Sequence, residues 1–174
     1  TTDETVDLDK RMELLKATDS EIFISIHHNA PRRKDNWWTN YTSTYYHALK
    51  GDYRYDPFSH DLARYIQRDL AYAMRNSGGP GSFDGTYSDY NVFPHKGFAV
   101  LRDSPVPAVL VECSFFTNPV EELRLSREQF NKIQAWAIFK GLGKFYKDGY
   151  PDIADFRVKR NAKEASAEIM VAVT

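Results

Sequence analysis

Short apolar runs that end abruptly at a polar residue constrain the fold of this chain more than any other feature. Three such runs are 22–26 before His27, 98–101 before Arg102, and 108–111 before Glu112. The run 22–26 is nearly continuous and rich in β-branched residues, which is typical of a strand buried on both faces in a parallel sheet. The sequence therefore predicts three strands that end at these polar residues.

Helical patterns alternate with the apolar runs. The other predicted elements are a helix over 5–16, a helix that starts at Asp56-Pro57 or Ser59 and runs to Met74, a helix after a capping-box pattern at Ser126 and Gln129, a strand over 39–46 and a loop over 76–91. Helices that alternate with short strands indicate an α/β fold in three layers, with a largely parallel, twisted sheet flanked by helices.

The chain divides into one domain over 1–150 and a second segment over 151–174. The second segment is predicted to be a linker and the beginning of a further β-rich module. The 174 residues carry 23 Lys and Arg against 24 Asp and Glu, so charge gives no reason to expect nucleic acid as a partner. No apolar run approaches the ~20 residues of a membrane-spanning helix, so we expect no membrane insertion.

Glu112 is the strongest candidate for chemistry. In open α/β sheets ligands gather at the carboxyl ends of the strands, and a carboxylate at the end of a buried strand is costly unless it is used or paired. One interpretation is structural, with Glu112 capping a helix or pairing with Arg102. The other is a general acid/base whose pKa is raised by partial burial. Spacing alone leaves both open.

His27 and His28 follow the same strand and must point to opposite faces. We therefore do not expect the two of them to bind the same metal ion. A histidine at a strand end is more often structural than a ligand, and if one of the two is a ligand we favour His27. The single cysteine, Cys113, points away from Glu112 and is predicted to be a buried core residue. A cysteine hydrolase that uses Cys113 with a histidine is the least favoured alternative.

Three pieces of the sequence form a recognisable set of motifs. The first piece is Leu8-x-x-Arg11 leading into Ser25-Ile26-His27-His28-Asn29-Ala30, the second is Ser59 with Leu62-Ala63 and Ile66-Gln67, and the third is Val100-Leu101-Arg102 with Pro107-Ala108-Val109-Leu110-Val111-Glu112 and Phe115-Phe116-Thr117-Asn118. Together they resemble the zinc-dependent N-acetylmuramoyl-L-alanine amidases that cut bacterial peptidoglycan. The resemblance covers roughly residues 1–146, and the three motifs occur in the family's order.

The resemblance implies a zinc site that hydrolyses the amide bond between N-acetylmuramic acid and L-alanine. On this basis His27 is a zinc ligand, Glu112 is the catalytic carboxylate, and Asn29 and Arg102 help to bind substrate. The family's two further ligands, a histidine and a glutamate, lie upstream of the first motif. Catalytic zinc usually has three protein ligands, so these residues alone are expected to be inactive, as part of a longer protein.

A peptidoglycan substrate implies a bacterial protein that acts in the periplasm or outside the cell, with a signal peptide expected upstream of Thr1. Two alternatives to the amidase stay open. One is an amidase domain that has lost its metal site. The other is a non-catalytic module that binds cell-wall glycan through Trp37, Trp38 and tyrosines, although core packing explains the aromatic content equally well.

Overall fold

A four-stranded mixed sheet forms the centre of the molecule. The computed structural model describes residues 5–48, 56–76, 79 and 82–149. The strands are β1 (Phe23–Asn29), β2 (Ser43–Tyr46), β3 (Thr86–Ser88) and β4 (Ala108–Phe115). Their order is β1-β4-β2-β3, in which β1 pairs with β4 and β2 with β3 in parallel, while β2 and β4 are antiparallel. β1 therefore lies at an edge of the sheet described.

Helices cover both faces of this sheet. They are α1 (Leu8–Lys16), α2 (Pro57–Met74), α3 (Ala99–Arg102), α4 (Pro119–Leu125) and α5 (Glu128–Lys144), with a 3-10 turn over Asp89–Asn91 and a π-helical turn over Phe145–Gly149. One core packs α2 and α5 against Val109, Val111 and Cys113 of β4. The other packs α1 and α3 against Ala108 and Leu110, which alternate with the first set. The predicted three-layer α/β fold is confirmed.

The long helix α2 begins and packs as its sequence dictates. The Asp56 side chain caps its first turn by accepting a hydrogen bond from the Phe58 amide, and Pro57 occupies the first helical position, where an amide donor is not needed. α5 crosses α2 at Gly141, where an added Cβ would lie 2.7 Å from the Cα of Ile66. The two helices can approach this closely because glycine has no side chain.

Four local predictions were wrong. The loop predicted over 76–91 contains strand β3 (Thr86–Ser88) and the 3-10 turn over Asp89–Asn91. Residues 98–101 are not a strand, because residues 99–102 form the short helix α3, which buries Val100 and Leu101. Apolar runs of this length fit a helix as well as a strand. The capping box at Ser126 does not form, because the Ser126 hydroxyl donates to the Leu123 carbonyl and α5 begins after Arg127. The strand predicted over 39–46 is shorter, since only Ser43–Tyr46 pairs with its neighbours.

The sequence did not predict helix α4. Pro119 begins this helix, and the Asn118 side chain caps it. The predicted β-rich module over 151–174 lies outside the described residues. In the part of the chain that is described, no helix has the length and apolarity needed to cross a bilayer.

Candidate active site

His27 and Glu112 face each other across two adjacent parallel strands. They are register partners in the pairing of β1 with β4, so their side chains lie on the same face of the sheet, near the carboxyl ends of both strands. Ser43 of β2 is the partner of Glu112 on its other side and is fully buried. A histidine, a carboxylic acid and a hydroxyl thus form a row across three strands.

The Glu112 side chain is partly buried, and one of its carboxyl oxygen atoms lacks a compensating contact. Its Oε2 atom is inaccessible to solvent and has no hydrogen-bond partner among the described residues. Burial raises the pKa of Glu112 to about 7. A carboxyl group with this pKa can both accept and return a proton near neutral pH, which is the property that a general acid/base requires.

The His27 imidazole is more exposed and is oriented by its own strand. Its Nε2 atom lies 2.7 Å from the Ser25 hydroxyl, two residues earlier on the same face. Burial, and then the positive charges of Arg11 and His28, lower the pKa of His27. The neutral imidazole that results at neutral pH is the form that binds a metal ion.

His28 and Cys113 lie on the opposite face from the pair. The Nε2 atom of His28 lies 2.8 Å from Oε1 of Gln134, on the buried side of α5. Cys113 is completely buried in the core formed with α2 and α5, and burial raises the pKa of its thiol to about 12. A thiol with that pKa is not a nucleophile at neutral pH, so the structure gives no support to a cysteine hydrolase.

Asn29 and Arg102 are engaged with the protein itself. The register shifts between His27 and Asn29, and the Asn29 carbonyl accepts a hydrogen bond from the Phe116 amide, while its side chain accepts one from the Ala30 amide. The Arg102 guanidinium pairs with Asp103 at 2.9 Å and donates to the Lys96 carbonyl. Neither side chain is hydrogen-bonded to His27 or Glu112, and their predicted role in substrate binding stays a prediction.

The His27 imidazole and the Glu112 carboxyl group are of the types expected for one ligand and the proton carrier of a zinc centre. A neutral imidazole is a preferred zinc ligand, and an unpaired buried carboxyl group beside it is suited to move a proton. In the described ranges, however, no group of three or more His, Cys, Asp or Glu side chains is placed to hold a metal ion. His27 is therefore one ligand at most, and these residues do not form a complete zinc site by themselves.

Tyr41 is a neighbour of Glu112 that the sequence did not single out. Burial and then the negative charge of Glu112 raise the pKa of Tyr41, and its ring lies 4.6 Å from the ring of Phe115. The only sequence signal was its place in a run of threonines and aromatic residues before β2, and that run does not reveal the register with β4.

A separate cleft of 930 Å³ lies beside α2, away from the pair. Its lining includes Asp61, Arg64, Arg68 and the fully exposed Phe83. None of the predicted site residues lines this cleft. Its size alone assigns it no part in the chemistry at Glu112.

Comparison with known proteins gives consistent matches. The model of the family described as N-acetylmuramoyl-L-alanine amidase matches residues 1–144. The germination-specific N-acetylmuramoyl-L-alanine amidase of Bacillus subtilis is 28% identical over 143 residues, which are 82% of this chain and 52% of that protein. An uncharacterized cell wall amidase of Bacillus anthracis is 27% identical over 143 residues, with 80% of this chain and 24% of that protein covered.

Solved structures agree with the fold. An N-acetylmuramoyl-L-alanine amidase of Clostridium difficile superimposes with a TM-score of 0.65 and 24% identity, over 82% of this chain and 67% of that one. One from Nostoc punctiforme gives a TM-score of 0.64 and 25% identity, over 83% and 68%. Of the two curated Bacillus relatives, by contrast, the chain spans only about half the length or less.

Proposed function

The chain belongs to the N-acetylmuramoyl-L-alanine amidase family, and on that premise we propose that the protein containing it hydrolyses the amide bond between N-acetylmuramic acid and L-alanine in peptidoglycan. The observation that carries the proposal is the buried Oε2 atom of Glu112, which has no partner among the described residues, on the strand position that pairs with His27 near the carboxyl ends of two parallel strands. Such a group is costly to keep unless it is used.

Glu112 moves the proton in this proposal. As a carboxylate it takes a proton from the water that attacks the amide carbonyl, and the resulting acid gives that proton to the leaving amine of L-alanine when the carbon–nitrogen bond breaks. The pKa of about 7 suits both halves of the cycle, because the two protonation states then differ little in free energy at neutral pH.

His27 holds the metal ion in this proposal. Zinc, when bound, polarises the carbonyl group and acidifies water. The imidazole of His27 supplies one ligand, and the other protein ligands come from outside these 174 residues. His27 lies on β1, whose outer edge has no neighbouring strand in the described part of the sheet, so a further segment of the protein has access to it from that side.

Substrate binding and location complete the proposal. Asn29 and Arg102 bind the muramyl peptide near the pair, which requires Arg102 to exchange its contacts with Asp103 and Lys96 for contacts with substrate. The protein acts in the periplasm or outside the cell, where its substrate is, and a signal peptide upstream of Thr1 directs it there.

The test compares two substitutions that remove one negative charge each. In the full-length protein with zinc supplied, Glu112→Gln lowers the release of stem peptides from purified peptidoglycan by about 100- to 10,000-fold, because the proton carrier is lost. Glu122→Gln, at an exposed glutamate in the first turn of α4, leaves the rate within about twofold. Equal rates for Glu112→Gln and the parent protein would refute the role of Glu112.

The competing function is a glycan-binding module without turnover. It predicts that the full-length protein with zinc sediments with peptidoglycan and releases no stem peptides. The amidase proposal predicts that the parent protein releases stem peptides, whereas Glu112→Gln binds peptidoglycan and releases none. Measuring binding and release on the same samples therefore separates the two functions.

A further inference from the structure

The loop between β1 and β2, residues 30–42, presents two adjacent tryptophans to solvent. Trp37 is 61% exposed and Trp38 is 58% exposed. Their ring centroids lie 5.9 Å apart and their planes are at 85°, so the indoles form a step with two differently oriented faces. Large aromatic side chains in such positions mark contact sites, because leaving them in water forgoes the free energy of burial.

The loop that carries the indoles is fixed from within. The Asn36 side chain accepts hydrogen bonds from the amide of Thr39, at 3.2 Å, and from its hydroxyl, at 2.8 Å. The guanidinium of Arg32 donates to the carbonyl of Val92 at 2.7 Å. A loop held in this way loses little conformational entropy when a ligand binds to it.

Hydrogen bonds also tie the indoles to the end of the sheet where Glu112 lies. The Asn118 side chain, which caps α4, donates to the Trp38 carbonyl at 3.2 Å. Asn40 accepts a hydrogen bond from the Phe115 amide and donates one to the buried carboxylate of Glu121. The indole pair is thus anchored to the segment that directly follows Glu112 on β4.

The chemistry around the indoles favours a sugar chain over an apolar protein surface. Residues 32–34 are Arg-Arg-Lys, and all three are exposed. Arg33 pairs with Asp35 at 2.7 Å, so three cations and one anion leave residues 32–35 with a net charge of +2 beside the indoles. Trp136 of α5 offers the contrast. It is 62% exposed, stacks on Phe139 with ring centroids 5.4 Å apart, and lies next to the exposed Ile133, in the manner of a face that packs against protein.

We propose that Trp37 and Trp38 form a platform that binds the N-acetylated glycan strand of peptidoglycan and so positions the polymer at Glu112. The apolar faces of the indoles stack on the carbon–hydrogen faces of two sugar rings. The neighbouring cations attract the carboxylates of the stem peptides. This inference rests on the proposed function for the identity of the polymer, and it adds the residues that select a glycan.

The primary test measures binding without turnover, in the full-length protein carrying Glu112→Gln. The probe is peptide-free strands of alternating N-acetylglucosamine and N-acetylmuramic acid. Trp37→Ala with Trp38→Ala weakens binding at least tenfold, whereas Trp136→Ala, at an equally exposed tryptophan, changes it less than twofold. Equal binding by the double variant and its parent, or equal weakening by Trp136→Ala, overturns the inference.

A second measurement does not depend on the alanine variants folding. The protein is labelled with 5-fluorotryptophan, and its fluorine resonances are assigned by single Trp→Phe substitutions. Adding the glycan strands shifts the resonances of Trp37 and Trp38 and leaves that of Trp136 in place. Shifts of Trp136 alone, or of none of the three, overturn the inference.

Kinetics distinguish a failure of this inference from a failure of the amidase proposal. On whole peptidoglycan the double alanine variant raises KM with little change in kcat, and on a soluble muramyl tripeptide, which carries no glycan strand, it behaves like the parent protein. An inactive parent protein that still binds glycan through the two indoles refutes the amidase and leaves the platform standing. An active enzyme with unchanged KM in the variant refutes the platform alone.

Discussion

The carboxyl groups at the two ends of the central sheet differ in their hydrogen bonding. Where β4 begins, Asp89 is completely buried, and its Oδ2 atom accepts hydrogen bonds from the imidazole of His47, at 2.9 Å, and from the Phe98 amide, at 2.7 Å. Three residues before the end of β4, the Oε2 atom of Glu112 is inaccessible to solvent, and no hydrogen bond or ion pair of Glu112 is found among the described residues. Each of the two carboxyl groups leaves one buried oxygen atom without a partner, Oδ1 of Asp89 and Oε2 of Glu112, but only Asp89 is held by hydrogen bonds through its other oxygen atom.

This difference is the one expected between a structural carboxylate and the proton carrier that we propose. Asp89 stabilises its surroundings because it joins the end of β2, the 3-10 turn and the start of α3 through direct bonds. Gly97 packs against it with a positive φ of 63°, and an added Cβ there would lie 2.3 Å from Oδ2. Glu112 has no comparable structural partner among the described residues, and this is why the proposed function assigns it to the chemistry.

The largest expected effect concerns the two histidines, which lie on opposite faces of the same strand. His27→Ala removes a proposed metal ligand and lowers turnover by at least about 100-fold, together with zinc content. His28→Ala removes the contact with Gln134, costs about 1 kcal/mol of stability, and leaves turnover within a few fold. Zinc analysis and stem-peptide release on both variants measure this, and a reversed ranking would contradict the assignment of faces.

The next effect concerns Asp89, the carboxyl group that is held by hydrogen bonds. Asp89→Ala leaves the His47 imidazole and the Phe98 amide without their acceptor and lowers the free energy of unfolding by about 3 kcal/mol. Turnover per folded molecule stays near that of the parent, since Asp89 lies at the far end from Glu112. Urea unfolding measures the free energy of unfolding, and an assay at low temperature measures turnover. A large loss of turnover in a fully folded variant would show that Asp89 takes part in the chemistry.

The pH dependence of stability tests the burial of Glu112. Burial raises the pKa of Glu112 from its ordinary value of 4.5 to about 7, so folding favours the protonated acid. The resulting destabilisation is absent below pH 4.5, grows as the pH rises to 7 and is complete above it. Glu112→Gln cannot ionise, and with a chelator present it is more stable than the parent by up to about 2 kcal/mol at pH 8 and equally stable at pH 4.

Thermal unfolding of both proteins at the two pH values measures this difference. Glu122→Gln serves as the control, because its exposed carboxyl group carries no burial penalty. A stability difference between Glu112→Gln and its parent that is the same at pH 4 and pH 8 would mean that Glu112 does not titrate between them.

Much of this arrangement was predictable from the sequence, because it depends on local periodicity. The runs 22–26 and 108–111 do lie in the two strands that carry His27 and Glu112, but β1 continues to Asn29 and β4 to Phe115, so neither strand ends at the predicted residue. Alternation along a strand then placed His27 and His28 on opposite faces, and Cys113 away from Glu112. These outcomes follow from the two-residue period of a strand, which a sequence displays directly.

What the sequence did not reveal depends on partners distant in the chain. Register decides that His27 faces Glu112, and it is fixed by packing that no local pattern records. The run 98–101 did not form a strand, and the amide of Phe98, just before α3, donates to Asp89, nine residues earlier. The contact between His47 and Asp89 spans 42 residues, and neither residue carried a motif. Long-range polar contacts of this kind appear only when the fold is known.

The smallest expected effect concerns Cys113, which lies next to Glu112 in sequence and on the other face in space. Cys113→Ala removes a buried sulfur atom from the core formed with α2 and α5 and lowers the free energy of unfolding by about 1 kcal/mol. Turnover stays unchanged, and the native parent protein resists alkylating reagents, because its thiol is inaccessible and burial raises its pKa to about 12. Unfolded protein in urea is alkylated rapidly and provides the control. Loss of turnover in a folded Cys113→Ala variant would reopen the thiol as a nucleophile, and it would mean that the face opposite Glu112 takes part in the reaction.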